Sequence, residues 1–285
     1  MVMGLLEAVL ESFFESAKII SMVFVLMVII EYLELKYRDK IRQKITAKPL
    51  SQYVICSLLG AIPGCMDAFF VVSLYIHGIV GFGALTAVML STAGDEAYIM
   101  LTMIPDSAVT IFGVCAALGV IGGYATDKIV KRMNLKIRQP CEIVIHKEEK
   151  PDGRKHFLKE HLLNHIIKKH IPKLFLWIFF TLLIIGVLKQ YMDLAELFKS
   201  LPTWLLMVTA VLIGVIPESG PHLIFVTLFS EGIIPFSVLL VSTVSQDGHG
   251  LLPLLSHSIK DVIYVQIFTT SFAFALGVML LLLGI

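Results

Sequence analysis

The chain has 285 residues, of which 57% are hydrophobic and only 16% charged, with a mean hydropathy of +0.86. A typical soluble domain carries about 25% charged residues, so this much apolar surface needs an apolar solvent, and the composition excludes a secreted disulfide scaffold, a disordered chain and an ordinary cytosolic enzyme. A net charge of +1 leaves no basic face for nucleic acid, and the four cysteines, Cys56, Cys65, Cys115 and Cys141, form no CxxC pair and read as small buried hydrophobes.

The first charges, Glu7, Glu11 and Glu15, have the wrong sign for a signal-peptide n-region. Five apolar helices follow, at about 17–35, 50–63, 65–78, 82–104 and 107–126. The second and third are short for a hydrocarbon core of about 30 Å. Two short spans and one re-entrant hairpin with its tip at Pro63 both fit. The fourth is interrupted at Gly94. A basic polar linker, 127–159, then carries the turn signal Pro151-Asp152-Gly153.

Beyond the linker the pattern recurs. A shift of 154 residues lays Leu58-Leu59-Gly60-Ala61-Ile62-Pro63 over Leu212-Ile213-Gly214-Val215-Ile216-Pro217. Between 58–104 and 212–258 there are 13 identities in 47 positions, against about 4 or 5 expected by chance in so skewed a composition. The domain organisation expected is a first repeat at 1–126, the linker at 127–159 and a second repeat at 160–285.

Lysine and arginine set the orientation of each half. Lys36, Arg38, Lys40, Arg42, Lys44 and Lys48 follow the first helix, and Lys128, Lys131, Arg132, Lys136 and Arg138 stand in the linker, so both segments read as cytoplasmic. The loop at 191–202, equivalent to the first, sets only Lys199 against Asp193 and Glu196 and reads as external. The fold class expected is therefore an all-α, multi-pass membrane bundle of 5+5 inverted repeats with broken or re-entrant helices and both termini outside, the pattern of secondary transporters.

Polar groups inside the apolar stretches gather at four breaks: Cys65 and Asp67 after Pro63, Asp95 and Glu96 after Gly94, Glu218 and His222 around Pro221, and Asp247 and His249 around Gly248. A buried charge there is expensive and expects a partner or an ion. Carboxylates, imidazole and freed carbonyls suit Mn²⁺, Fe²⁺ or Zn²⁺, while half-helix N-termini suit an anion. Helix capping is the alternative for Asp95 and Glu96, an ion pair or cap for Glu218 and Asp67, inert packing for Cys65, and a histidine bonded to a carbonyl for His249. Glu31 and Glu34, at i, i+3, end the first helix either as snorkelling side chains or as a cation relay.

Three segments carry a family resemblance: Glu31-Tyr32-Leu33-Glu34, then Gly60-Ala61-Ile62-Pro63-Gly64-Cys65, then Ser91-Thr92-Ala93-Gly94-Asp95-Glu96-Ala97. Together they resemble the ten-helix heavy-metal exporters of bacteria and archaea, also labelled manganese transporters or arsenic efflux proteins (ArsP-like). The resemblance implies a prokaryotic plasma-membrane exporter. Gly64 stands where such proteins carry Gln, and Ser219 where their second Cys would fall. This argues against a paired-thiolate site for trivalent arsenic and for a divalent metal with oxygen and nitrogen ligands.

The expected function is export of a divalent cation, Mn²⁺ foremost, at a central site of Asp95, Glu96, Asp247 and His249, with Glu218, Asp67, Cys65 and His222 nearby. No cofactor is expected beyond the metal as cargo. The partners expected are that metal and the lipid bilayer, with no nucleic acid and a homodimer left open. The chain holds no GxxxxGK[ST] motif, so an ion gradient or another chain must drive transport. Two rivals stand: a permease for an arsenical or small oxyanion using Lys260, and a membrane-embedded metal hydrolase, whose HExxH motif is missing.

Overall fold

Regular structure is helical throughout the described residues, with no strand among them. The computed structural model describes residues 6, 8–25, 28, 29, 49–76, 78–135, 137, 168, 171–191 and 194–284, without the side chains of Met66, Lys173, Lys189, Gln190, Tyr191, Leu194, Ala195, Lys199, His249 and Ser256. In chain order the first half holds α1 (8–25), α2 (Pro49–Gly60), α3 (Met66–Ile76), α4 (Phe82–Ser91), α5 (Glu96–Met103) and α6 (Pro105–Arg132). The second half holds α7 (Ile171–Tyr191), α8 (Leu194–Ser200), α9 (Thr203–Gly214), a 3₁₀ turn at Gly220–His222 running into α10 (Leu223–Ser230), and α11 (Phe236–Ser245). A second 3₁₀ turn at Gly248–Gly250 leads into α12 (Leu251–His257), and α13 (Ile259–Leu283) closes the chain.

The boundaries repeat at the 154-residue offset read from the sequence. α2 maps onto α9 and α4 onto α11, end for end, and Pro105, which opens α6, maps onto Ile259, which opens α13. Left-handed glycines recur as well, Gly78 and Gly232 both at φ 70°, Gly94 at 55° and Gly248 at 54°.

α2 and α3 have 12 and 11 residues, or about 18 Å and 16 Å of helix, well short of a bilayer core of about 30 Å. They form a hairpin against α4. The start of α2 meets the start of α4, where the Gly81 amide donates to Gln52 Oε1 at 3.2 Å. Its end, Gly60, abuts Val88 and Ser91. α3 then returns, bringing the Tyr75 ring to 6.1 Å from that of Phe82.

α6 runs back along α4 in close contact. A Cβ at Gly123 would stand 2.6 Å from the Gly83 carbonyl oxygen, and one at Gly119 2.6 Å from that of Ala87. Small residues four apart on both helices let two backbones approach in this way inside a membrane. α6 starts with Pro105 in its first turn and ends with Lys131 and Arg132 in its last, matching proline to the N-terminus and cations to the C-terminal dipole. It therefore continues through Arg132, beyond the expected boundary at 126.

Asp127 anchors one end of this assembly. Its Oδ2 accepts from Tyr53 Oη at 2.5 Å and its Oδ1 from the Gly83 amide at 2.8 Å. Tyr53→Phe removes the hydroxyl and leaves the carboxylate one bond short, so thermal unfolding in detergent should show a loss of about 1–2 kcal/mol. An unchanged midpoint would mean that the bond contributes nothing.

Two apolar clusters hold the halves together, and each mixes residues of both. One joins Leu90, Tyr98–Met100 and Ile111 to Leu206, Leu223, Val238 and Val241. The other joins Val71, Leu85 and Met89 to Leu251, Leu254 and Val265. α5 thus packs into the second half and α12 into the first. Outside, Val109 and Ile121 on α6 and Ile263, Ile267, Phe274 and Val278 on α13 are exposed. Such apolar faces suit lipid rather than water, and both helices are long and apolar enough to cross a bilayer.

Candidate functional site

The two breaks share one backbone path. Thr92 leaves α4 extended at φ −79°, ψ 132°, and Gln246 leaves α11 at φ −80°, ψ 132°. The next turn needs a left-handed residue, supplied by Gly94 and Gly248. That conformation costs an L-residue with a Cβ about 1–2 kcal/mol. Each break strands backbone carbonyls on one side and amides on the other. The Gly94 amide is met locally by Thr92 Oγ1 at 3.2 Å.

Both hairpin tips stop at these breaks. In the first tip the Gly64 amide donates to the Gly94 carbonyl at 3.1 Å. From the second tip Ser219 reaches both breaks: its Oγ stands 2.6 Å from where a Cβ on Gly94 would lie and 3.2 Å from one on Gly248. The four segments that concentrate polar residues in the sequence therefore converge.

The Gln246 amide joins the halves through this centre, and Thr243 of α11 also bonds to the Glu96 carboxylate. Gln246 Nε2 donates to Glu96 Oε2 at 2.8 Å and to the Ala93 carbonyl at 3.2 Å. The carboxylate of the first break is thereby tied to the second break. Asp247 turns elsewhere, with its Oδ2 accepting from Thr269 Oγ1 of α13 at 3.1 Å. His222 Nδ1 lies 2.8 Å from Ser242 Oγ on α11.

Asp67, Cys65, Asp95, Glu96, His222 and Asp247 are all buried, and Glu218 is half-buried with its amide on the Ile216 carbonyl. Glu31 and Glu34 lie outside the described residues, as does the His249 side chain, whose backbone is in the second break. No group of three or more His, Cys, Asp and Glu side chains converges among the described residues. The buried atoms without a hydrogen-bond partner include Glu96 Oε1, Gln246 Oε1, Asp247 Oδ1, Ser219 Oγ and His222 Nε2. Unmet acceptors of this kind, on carboxylates at membrane depth, call for a cation or a proton. Lys260, the cation of the anion-permease rival, is exposed and stands 5.6 Å over the Tyr264 ring.

Gln246 and Thr269 are not among the sequence candidates for this centre, and Ser219 enters there only as the place of a family cysteine. None is charged, so none stands out in an apolar stretch. The repeat offers the one signal, since Ser219 aligns with Cys65 and Gln246 with Thr92.

Membrane-length helices, two helices broken at glycine and buried carboxylates at the breaks define a polytopic membrane protein built around an internal polar site. The chain belongs to the family described as “Putative, 10TM heavy-metal exporter”, whose model matches residues 3–198 and 174–283. That is a family of multi-pass membrane transporters rather than a class of enzyme. Comparison with curated proteins and with solved structures finds no match.

Proposed function

We propose that this protein is a secondary transporter that exports a divalent cation, Mn²⁺ foremost, from a prokaryotic cell by alternating access between the two breaks. One observation carries this: the Glu96–Gln246 bond spans the two halves, Thr243 of α11 stands beside the same carboxylate, and Glu96 Oε1 is buried without a hydrogen bond. A carboxylate tied to both moving parts senses their relative position, as a cargo site must.

The donor set favours Mn²⁺ over softer cargo. Glu96, Gln246 and Ser219 offer oxygens, and Asp95 and His249 adjoin them in the chain. Oxygen and imidazole suit a hard or borderline divalent ion, whereas trivalent arsenic and other soft ions want thiolates. Cys56 and Cys115 are spent in helix packing. Asp67, Cys65, Glu218 and His222 line the approach along the hairpin tips, and the sequence pair Glu31 and Glu34 is the candidate exit relay.

Contacts between the halves support the inverted arrangement. α6 carries the chain from Pro105 to Asp127, about 33 Å at 1.5 Å per residue, and Asp127 meets Gly83. Pro105 is therefore at the far end of the bundle from Gly83. Asp261, near the start of α13, has the second-half place that Ser107 has in the first. Two halves of like orientation would keep Asp261 at the Pro105 end. Instead Tyr75 Oη donates to Asp261 Oδ2 at 3.0 Å, and the Phe268 ring lies 6.1 Å from that of Phe82, one residue from Gly83.

The test is flux in sealed proteoliposomes of the purified protein. Saturable Mn²⁺ transport is expected, with no transport of arsenate or of a methylated trivalent arsenical. Movement of either arsenical without Mn²⁺ would replace the cargo, and an inert protein would remove the transport assignment.

A further inference from the structure

Asp247 is the second buried carboxylate of the centre, and it is not arranged like Glu96. It is 1% exposed, and its partner Thr269 is fully buried. Asp247 Oδ2 is held by Thr269, and Oδ1 has no partner. The pair lies wholly within the second half, joining its break to α13. At the equivalent first-half positions stand Ala93 and Cys115, which cannot make such a pair. The repeat is broken here in favour of two hard oxygens.

Thr269 has one hydroxyl hydrogen and three acceptors within reach: Asp247 Oδ2 at 3.1 Å, the Val265 carbonyl at 3.1 Å and the Gln266 carbonyl at 3.2 Å. A hydroxyl donates only once but accepts through two lone pairs. When its hydrogen goes to the helix backbone, Thr269 Oγ1 and Asp247 Oδ2 face each other as two lone-pair oxygens. A spacing of 3.1 Å is close to that of adjacent ligands on one cation. Oxygens about 2.4 Å from an ion of calcium's radius, which sodium shares, stand roughly 3.3 Å apart.

We propose that Asp247 and Thr269, with carbonyls freed at the end of α11, bind a monovalent alkali cation, Na⁺, separate from the divalent cargo at Glu96. Charge selects the valence. Asp247 is the one charged ligand of this set, its hydroxyl and carbonyl partners being neutral, whereas Glu96 has a second carboxylate, Asp95, beside it in the chain. One carboxylate balances one positive charge in a medium where an imbalance is costly. Unwound carbonyls beside a helix break are suited to such an ion. Because the pair sits inside one half, the ion stays bound while the halves move. Its role as the coupling ion rests on the transporter assignment above, whereas its binding does not.

Binding and coupling are read separately. Purified wild-type protein in detergent, free of Mn²⁺, is expected to gain several degrees of thermal stability on replacing choline by Na⁺, with a smaller gain in K⁺. Asp247→Asn and Thr269→Val should lose this gain, while Thr269→Ser, which keeps the hydroxyl, should retain it. Glu96→Gln should keep the Na⁺ response. In proteoliposomes, Mn²⁺ flux should rise with an opposing Na⁺ gradient, and Thr269→Val should abolish that dependence. A wild-type protein indifferent to Na⁺, or a Thr269→Val protein that responds like wild type, overturns the site. A Na⁺ response dependent on Thr269 in a protein that moves no Mn²⁺ supports the site and overturns the cargo instead.

Discussion

Glu96→Gln is expected to lower Mn²⁺ flux in proteoliposomes about a hundredfold while the protein stays folded. The substitution keeps the side chain's length, so an amide oxygen can still accept from Gln246 Nε2, now 2.8 Å from Glu96 Oε2. What disappears is the negative charge facing the unpartnered side of the site. Removing one partner of a buried charge pair costs about 3 kcal/mol or more, which corresponds to roughly a hundredfold in affinity. Burial of the wild-type carboxylate is itself unfavourable without an ion, so the empty Gln variant should unfold at the wild-type temperature or slightly above it. Glu96→Asp keeps the charge but draws it one methylene away from Gln246, and flux between the two is expected. Wild-type flux in Glu96→Gln, with expression and stability matched, would remove Glu96 from the transport path.

The second large effect falls on the scaffold. Gly123→Leu should prevent recovery of monodisperse protein, or lower its stability by about 3 kcal/mol as measured by thermal unfolding. The first side-chain carbon would already stand 2.6 Å from the Gly83 carbonyl and 2.9 Å from the Ala87 Cβ, before the rest of leucine is placed. Both obstacles belong to α4, and α4 also carries the first break, so a shift there displaces Gly94. The same change at Gly113 of α6, where nothing lies within 4 Å of a built Cβ, should be nearly silent and serves as the control. A well-folded Gly123→Leu protein would show that α4 and α6 need not touch.

Most of the architecture was legible because the sequence writes it twice. The offset of 154 residues predicts the second set of boundaries from the first, and breaks at Gly94 and Gly248 could be placed because a glycine and carboxylates interrupt otherwise apolar stretches. The choice between short spans and a hairpin could not be made from hydropathy, since both satisfy the same count of apolar residues. Contacts such as Gly81 with Gln52 and Gly64 with Gly94 show α2 and α3 folded back beside α4, with the turn between them at the first break. Asp127 read as the first polar residue of a linker because charge normally ends a membrane helix. In the fold it is the anchor of α2 and α4, and α6 continues past it.

The candidate site was legible as charges but not as partnerships. Asp95, Glu96 and Asp247 stand out because carboxylates are rare in such stretches. The sequence groups Asp95 and Glu96 with Asp247 and His249 in one central site. The fold pairs Glu96 with Gln246 and Asp247 with Thr269, since Ala93 is equivalent to Asp247 and Gly250 to Glu96, so the polar groups are staggered between the copies. An uncharged amide carries no hydropathy signal strong enough to reveal that link.

The most direct test of a divalent-cation site between the breaks is anomalous scattering at the manganese edge from crystals of the protein grown with Mn²⁺. One peak is predicted within coordination distance of Glu96 Oε1, beside Gln246 and Ser219, and absent from Glu96→Gln crystals. Ordered Mn²⁺ confined to the basic linker or the protein surface, with the centre empty, would contradict the account.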